Sequence, residues 1–299
     1  MTQYNSRMLT PPQEEDVFPF LRVWPSIVVQ SSVLFVICGG IFAAVGIFGL
    51  SVPAFIKQPV NLLIAVLPLG LWIVFAFWRE RSVVEPRQQL LTVVIITALA
   101  ANAVGIPFIE GVFQTERWLP LAAAPVRIVG YTITVGSFQE LIKYLVLRYT
   151  VWGNHFRIRQ DSVAYGFASA VGYATVLNLH FVLSTNTDAG SVALFTAETM
   201  ALQAAASIIV AYGMSELRFS TPTPLLLPIT IVMASFIFGG LIPLRAGFVN
   251  ARFSLRGGFP NPLLGLAVSA AVFIGLAVIF AFLFERADRA DREAAAGAA

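Results

Sequence analysis

One short stretch of the chain places an amide, an acid and a base at helical spacing. Gln139, Glu140 and Lys143 fall within five residues, and on an α-helix they point at about 0°, 100° and 40° around the axis. Lys143 can therefore pair with Glu140 or bond to Gln139. This group is either a structural ion pair that permits both charges to be buried, or a carboxylate held ionised by a fixed cation and available to bind a water or a cation.

Other polar side chains within the long apolar stretches are few. Asn178 and His180 lie in the stretch that follows Lys143, and Glu198 and Gln203 lie in the next one. Such side chains more often join helices through hydrogen bonds than line a site, and His180 fits an interfacial position. A charged group at the bilayer centre costs roughly 2.5–3.5 kcal/mol, so each acid or base there requires a partner or a function.

The apolar stretches that carry these residues are long enough to cross a bilayer. The 299-residue chain is 58% hydrophobic and 12% charged, whereas soluble domains carry about a quarter charged residues. Runs of about 20 apolar residues, folded as helices, match roughly 30 Å of hydrocarbon. The predicted spans are residues 26–50, 59–78, 90–109, 121–147, 162–184, 191–213, 224–244 and 263–284. The expected fold class is an all-α polytopic membrane protein with about eight transmembrane helices.

Polar segments flank the predicted transmembrane domain, which covers residues 26–284. Residues 1–25 form a polar segment with an interfacial anchor around Arg22, and residues 285–299 form a charged, Ala-rich tail. Twelve Lys and Arg residues collect on one side of the eight spans and five on the other, which predicts that both termini are cytoplasmic. The loop 245–262, with three Arg residues, contradicts this rule. We expect a multi-pass protein of the cell membrane, specifically a bacterial plasma membrane.

The order and spacing of the polar motifs resemble the PrsW family of glutamate-type intramembrane proteases, distant relatives of the CAAX-processing membrane endopeptidases. The resemblance covers residues 136–213. It rests on three motifs: Gln139-Glu140-x-x-Lys143, where the family has Glu-Glu-x-x-Lys; a Gly-rich run ending in Leu177-Asn178, where the family has Glu-Asn; and Gln203-x-x-x-Ser207, where the family has His-x-x-x-Thr or Ser. Asp161-x-x-x-Tyr165-Gly166 lies between the first two.

The departures from the family pattern fall on the chemistry. Gln139, Leu177 and Gln203 replace two glutamates and a histidine, which the family is thought to use to activate water, with or without a metal. An amide does not accept a proton from water at neutral pH. The resemblance therefore implies a candidate site of Glu140, Lys143, Gln139, Asn178 and Gln203 in a peptidase fold of impaired activity, or in a pseudoenzyme. No cofactor is predicted, and a divalent metal stays open.

Three functions are consistent with these residues. The chain is a membrane protease acting on membrane-anchored proteins, or a non-catalytic relative that binds such partners. The third function is a transporter or channel that uses Glu140, Lys143 and Glu198 as a polar pathway. A net charge of +3, scattered along the chain, excludes nucleic acid as a partner.

The predicted helices place two of the candidate residues at different depths. Glu140 lies about 11 Å and Asn178 about 24 Å along their helices from the cytoplasmic side. They meet only if the helices tilt, shift along their axes or break, for example at Gly136.

Overall fold

The structure, a computed structural model, describes residues 23–83, 85–220, 225–250 and 261–297. Within these ranges the chain is helical and contains no strand, so the predicted all-α fold class is confirmed. Eight long helices follow one another: α1 Val23–Ile47, α2 Ala54–Arg81, α3 Leu90–Leu121, α4 residues 124–150, α5 Arg159–Ser184, α6 Ala189–Phe219, α7 Leu226–Asn250 and α8 Pro262–Gly297. The Arg22 anchor and most of the loop 245–262 lie outside the described residues.

Seven of the helices in the described ranges are long and apolar enough to cross a membrane, and α4 is the exception. It consists of Ala124–Tyr131, a π-helical turn at Thr132–Gly136, and Ser137–Thr150. Its 27 residues span about 40 Å at 1.5 Å per residue, which is enough to cross. Its polar side chains lower its hydropathy, and the same side chains build the candidate site.

Several helices extend beyond the spans expected from the sequence: α3 continues to Leu121, α6 to Phe219 and α8 to Gly297, and two further ends carry a charged residue. Helix α7 continues to Asn250, so Arg245 lies within it rather than in an outer loop. Helix α5 begins at Arg159 rather than at residue 162, so Asp161 lies in its first turn. In both cases the charged side chain has a partner in the structure, which hydropathy alone does not reveal.

Helix α6 is the centre of the bundle. In the most apolar stretch of α6, 94% is buried inside the bundle, whereas the corresponding share in α8 is 22%. Helices α1, α2, α5, α7 and α8 all pack against it, and α5 does so most extensively. Small residues permit this close approach: a Cβ added at Gly166 of α5 would lie 3.1 Å from the backbone of Ser207 in α6. Helices α1, α2 and α8 turn large apolar side chains outward, as lipid-facing helices do.

Helix α4 meets α7 at a close crossing just before the candidate site. The π-helical turns Thr132–Gly136 of α4 and Phe236–Gly240 of α7 pack on each other. A Cβ added at Gly136 would overlap the backbone of Ser235, and one added at Gly239 would overlap the backbone of α4. The two backbones are therefore in direct contact. This contact fixes the position of α4 one turn before Glu140.

Candidate functional site

Lys143 is the centre of a buried set of polar side chains between α4 and α6. Its Nζ lies 2.7 Å from Glu140 Oε1 in an ion pair. It also donates to Gln203 Oε1 at 2.7 Å and to Ser207 Oγ at 2.8 Å. An ammonium has three donors, so these three oxygens fully use it.

An amide pair extends this arrangement by one residue. Gln203 Nε2 donates to Gln139 Oε1 at 2.6 Å. Helical spacing permitted Lys143 to contact Glu140 or Gln139. The pair with Glu140 forms, whereas Gln139 is connected to Lys143 through Gln203. We call Gln139, Glu140, Lys143, Gln203 and Ser207 the polar network. None of these residues is more than 2% exposed.

Glu140 keeps unused hydrogen-bonding capacity. Its Oε1 faces the Lys143 ammonium, and its Oε2 is buried without a hydrogen-bond partner in the described part of the chain. Buried polar atoms are normally satisfied, so an unpaired carboxylate oxygen marks a place for a water or a ligand donor. Glu140 Oε2 is therefore the atom of the polar network best able to accept a bond from a substrate or a water.

Asn178 does not join the polar network. Its Nδ2 donates to the carbonyl of Ala65 in α2 at 3.3 Å, and its Oδ1 has no partner among the described residues. Glu140 and Asn178 were expected at different depths along their helices. The π-helical turn at Thr132–Gly136 leaves α4 continuous rather than broken, so this difference in depth remains. The structure thus unites four of the five candidate residues and leaves Asn178 joined to α2.

The remaining intramembrane acids and histidine form separate pairs. His180 Nε2 lies 2.7 Å from Glu110 Oε1, with both side chains largely exposed, so His180 does not replace the histidine missing at position 203. Glu198 pairs with Arg245 of α7 at 3.1 Å. It lies five residues before Gln203 on α6, about 7.5 Å along the axis.

Tyr173 is a buried residue that the sequence did not single out. Its side chain is 0% exposed, and its hydroxyl has no hydrogen-bond partner in the described ranges. The hydroxyl lies against Gly105 of α3, where a Cβ would overlap it. No spacing signal marks a lone tyrosine in an apolar helix. Ser207 is different, because its position four residues after Gln203 predicts that both face the same neighbour.

Asp161 and Tyr165 have a structural role at the start of α5. One Asp161 oxygen accepts the backbone N–H of Ile158 at 3.0 Å, and the other accepts Arg87 Nε at 2.7 Å. Tyr165 donates its hydroxyl to the carbonyl of Gln88 at 2.7 Å. These bonds attach the segment between α2 and α3 to α5. Asp161 and Tyr165 therefore stabilise the end of the bundle, and these bonds do not involve the polar network.

The polar network does not fit a metal ion of the zinc type. Such a site uses three or four His, Cys, Asp or Glu ligands, and within the described ranges no group of three or more of these residues is arranged to hold a metal ion. Glu140 is the one carboxylate in the network, and Gln139 and Gln203 contribute amides. The Lys143 ammonium already lies at bonding distance from the oxygens that a cation would need.

Comparison with known proteins identifies one family. Residues 85–214 match the PrsW family, described as intramembrane metalloproteases. This range contains all five residues of the polar network, together with Asn178 and the Asp161 motif. No curated protein and no solved structure matches the chain. Over residues 85–214, the chain is therefore similar to the PrsW family of intramembrane metalloproteases.

Proposed function

We propose that this multi-pass membrane protein binds membrane-anchored proteins or peptides at a PrsW-type site and cleaves them slowly or not at all. One observation carries the proposal: the Lys143 ammonium is held by Glu140, Gln203 and Ser207, with a further amide at Gln139. A second carboxylate or a histidine is what a water-activating site would have at these amide positions.

The chemistry left to the polar network is limited. Hydrolysis of a peptide bond needs a base to take a proton from water and an acid to return it to the leaving nitrogen. Glu140 can take the proton, but the amides of Gln139 and Gln203 can neither accept nor supply one at neutral pH. Lys143 is fixed by three acceptors. The polar network therefore offers no second carboxylate and no histidine to share the proton that Glu140 takes up.

Burial also supports slow or absent turnover. Each side chain of the polar network is at most 2% exposed. A substrate segment can reach Glu140 only if helices separate around it. Amides can bond to a peptide backbone but cannot activate water, which favours binding over cleavage.

We propose further that the site works without a metal, because a divalent ion would have to displace the Lys143 ammonium and would gain a single carboxylate ligand. Metal analysis of the purified protein is expected to give far less than one zinc per chain. One zinc per chain that disappears in Glu140→Ala would contradict this expectation. The proposed location is a bacterial plasma membrane.

The test of the proposal combines binding with restored chemistry. A transmembrane peptide carrying a photoreactive side chain is incorporated with the protein in proteoliposomes, and both cross-linking and cleavage are measured. We expect cross-linking to the native chain and cleavage only by the double variant Gln139→Glu/Gln203→His. Glu198→Gln is the matched control, because it alters a buried acid outside the polar network and is expected to leave cross-linking unchanged. Absence of cross-linking in every variant would refute the binding role and favour transport.

A further inference from the structure

A groove lies between the beginning of α4 and the second half of α7. It encloses about 280 Å³. Its walls are apolar apart from one charged side chain, Arg127, and they include Ile128, Leu244, Gly247 and Phe248. The groove is separated from Glu140 by the crossing of α4 and α7 at Gly136.

Arg127 is an unusual cation for a membrane helix. Its Nε is buried without a hydrogen-bond partner, and its side chain makes no ion pair within the part of the chain that the structure describes. Of the other bases within these two helices, Lys143 and Arg245 each pair with a glutamate, and Arg148 stacks on the ring of Trp152. Glu116, in the segment before α4, forms no ion pair with Arg127 among the described residues.

The position of Arg127 along α4 corresponds to the edge of the bilayer. It lies in the first turn of α4, whose N-cap is Ala123. The preceding segment contains Trp118, which is 43% exposed. Exposed tryptophan and arginine near a helix end are typical of the headgroup level. At this level of the bilayer, the most abundant anionic group is the phosphate of a lipid.

The walls of the groove fit the remainder of such a lipid. A guanidinium binds phosphate oxygens through two parallel N–H donors. A Cβ added at Gly247 would meet no atom within 4 Å, so this side of the groove is open. We infer that the groove between α4 and α7 binds an anionic phospholipid, with its phosphate on Arg127 and an acyl chain along the apolar wall.

The inference is tested by native mass spectrometry of the detergent-purified full chain, titrated with dioleoylphosphatidylglycerol or with dioleoylphosphatidylcholine. We expect Arg127→Gln to weaken binding of the anionic lipid roughly tenfold or more, as for loss of a charged hydrogen bond. Arg127→Lys keeps the charge without the paired donors and is expected to lie between native and Arg127→Gln. Gly247→Leu fills the groove and is expected to weaken both lipids.

Two control variants make the result specific. Arg117→Gln removes an exposed charge that lies outside the groove and bonds to Gln114, and Gly70→Leu adds a side chain at an open position of α2. Both are expected to bind lipid as the native chain does. Equal lipid binding by native and Arg127→Gln, or equal weakening by Arg117→Gln, would overturn the inference. Competition by millimolar inorganic phosphate, with no effect of Gly247→Leu, would also overturn it by showing an anion site instead of a lipid site.

Discussion

Lys143 joins α4 to α6 through a charge that is removed from water. Its contacts with Glu140 follow from helical spacing, since residues three apart on a helix are neighbours. Its contacts with Gln203 and Ser207 depend on how α6 is placed, and the shared motif order of the family was the one sequence signal for them. Asn178 bonds to α2 instead, since its depth relative to α4 is set by packing, such as that of Gly172 against the backbone of Val94.

Removal of Lys143 is expected to destabilise the protein strongly. Lys143→Met leaves Glu140 as an uncompensated buried charge, a change that costs about 3–5 kcal/mol in proteins. The double variant Glu140→Gln/Lys143→Met removes both charges and is expected to recover part of this loss. The measurement is the thermal unfolding midpoint in detergent. Lys57→Met is the control, because Lys57 is the other lysine in the chain and bonds to Asn186 at the surface. A double variant as unstable as Lys143→Met would contradict this account of the ion pair.

Helices α4 and α7 position the polar network through backbone contact. The sequence predicted the existence of both helices, because apolar runs of span length have few other folded forms in lipid. It did not predict their ends or π-helical turns. Arg245 is charged but lies within α7, because its charge is paired with that of Glu198. Hydropathy averages such residues and does not detect a partner on another helix.

Substitution at the crossing is expected to be costly although alanine is a better helix former than glycine. In Gly136→Ala the new Cβ would overlap the Ser235 backbone, and overpacking of this kind costs about 1–3 kcal/mol. Gly70→Ala is the matched control: its Cβ would meet no atom within 4 Å, and it is expected to gain about 0.5–1 kcal/mol. Unfolding midpoints of the two variants therefore shift in opposite directions. A Gly136→Ala protein as stable as Gly70→Ala would show that the crossing is not tight.

At the scale of the whole molecule, the bundle of eight helices is built around a central α6, and an even number of crossings would bring both termini to one side. The positive charges predict that this side is the cytoplasm. Whether α4 crosses the membrane decides this topology, because α4 is the one long helix in the described ranges whose composition is too polar for a typical span.

Labelling of single cysteines tests this topology. In a Cys38→Ser background, Ser51→Cys lies between α1 and α2 and Asn154→Cys lies between α4 and α5, both at exposed positions. We expect a membrane-impermeant maleimide to label position 51 in intact cells and position 154 only after permeabilisation. Labelling of both positions in intact cells would mean that α4 does not cross the membrane. The opposite pattern would place the termini outside.

The central claim is that the native polar network lacks the groups needed for efficient hydrolysis. Its most direct test is the initial rate of cleavage of a transmembrane peptide by the native chain in proteoliposomes, measured beside Glu140→Ala. Because the Gln139 and Gln203 amides cannot relay a proton, the two rates are expected to agree within error, both at or near the background of empty vesicles. Robust cleavage by the native chain that is lost in Glu140→Ala would contradict the claim and establish Glu140 as the base of a working protease.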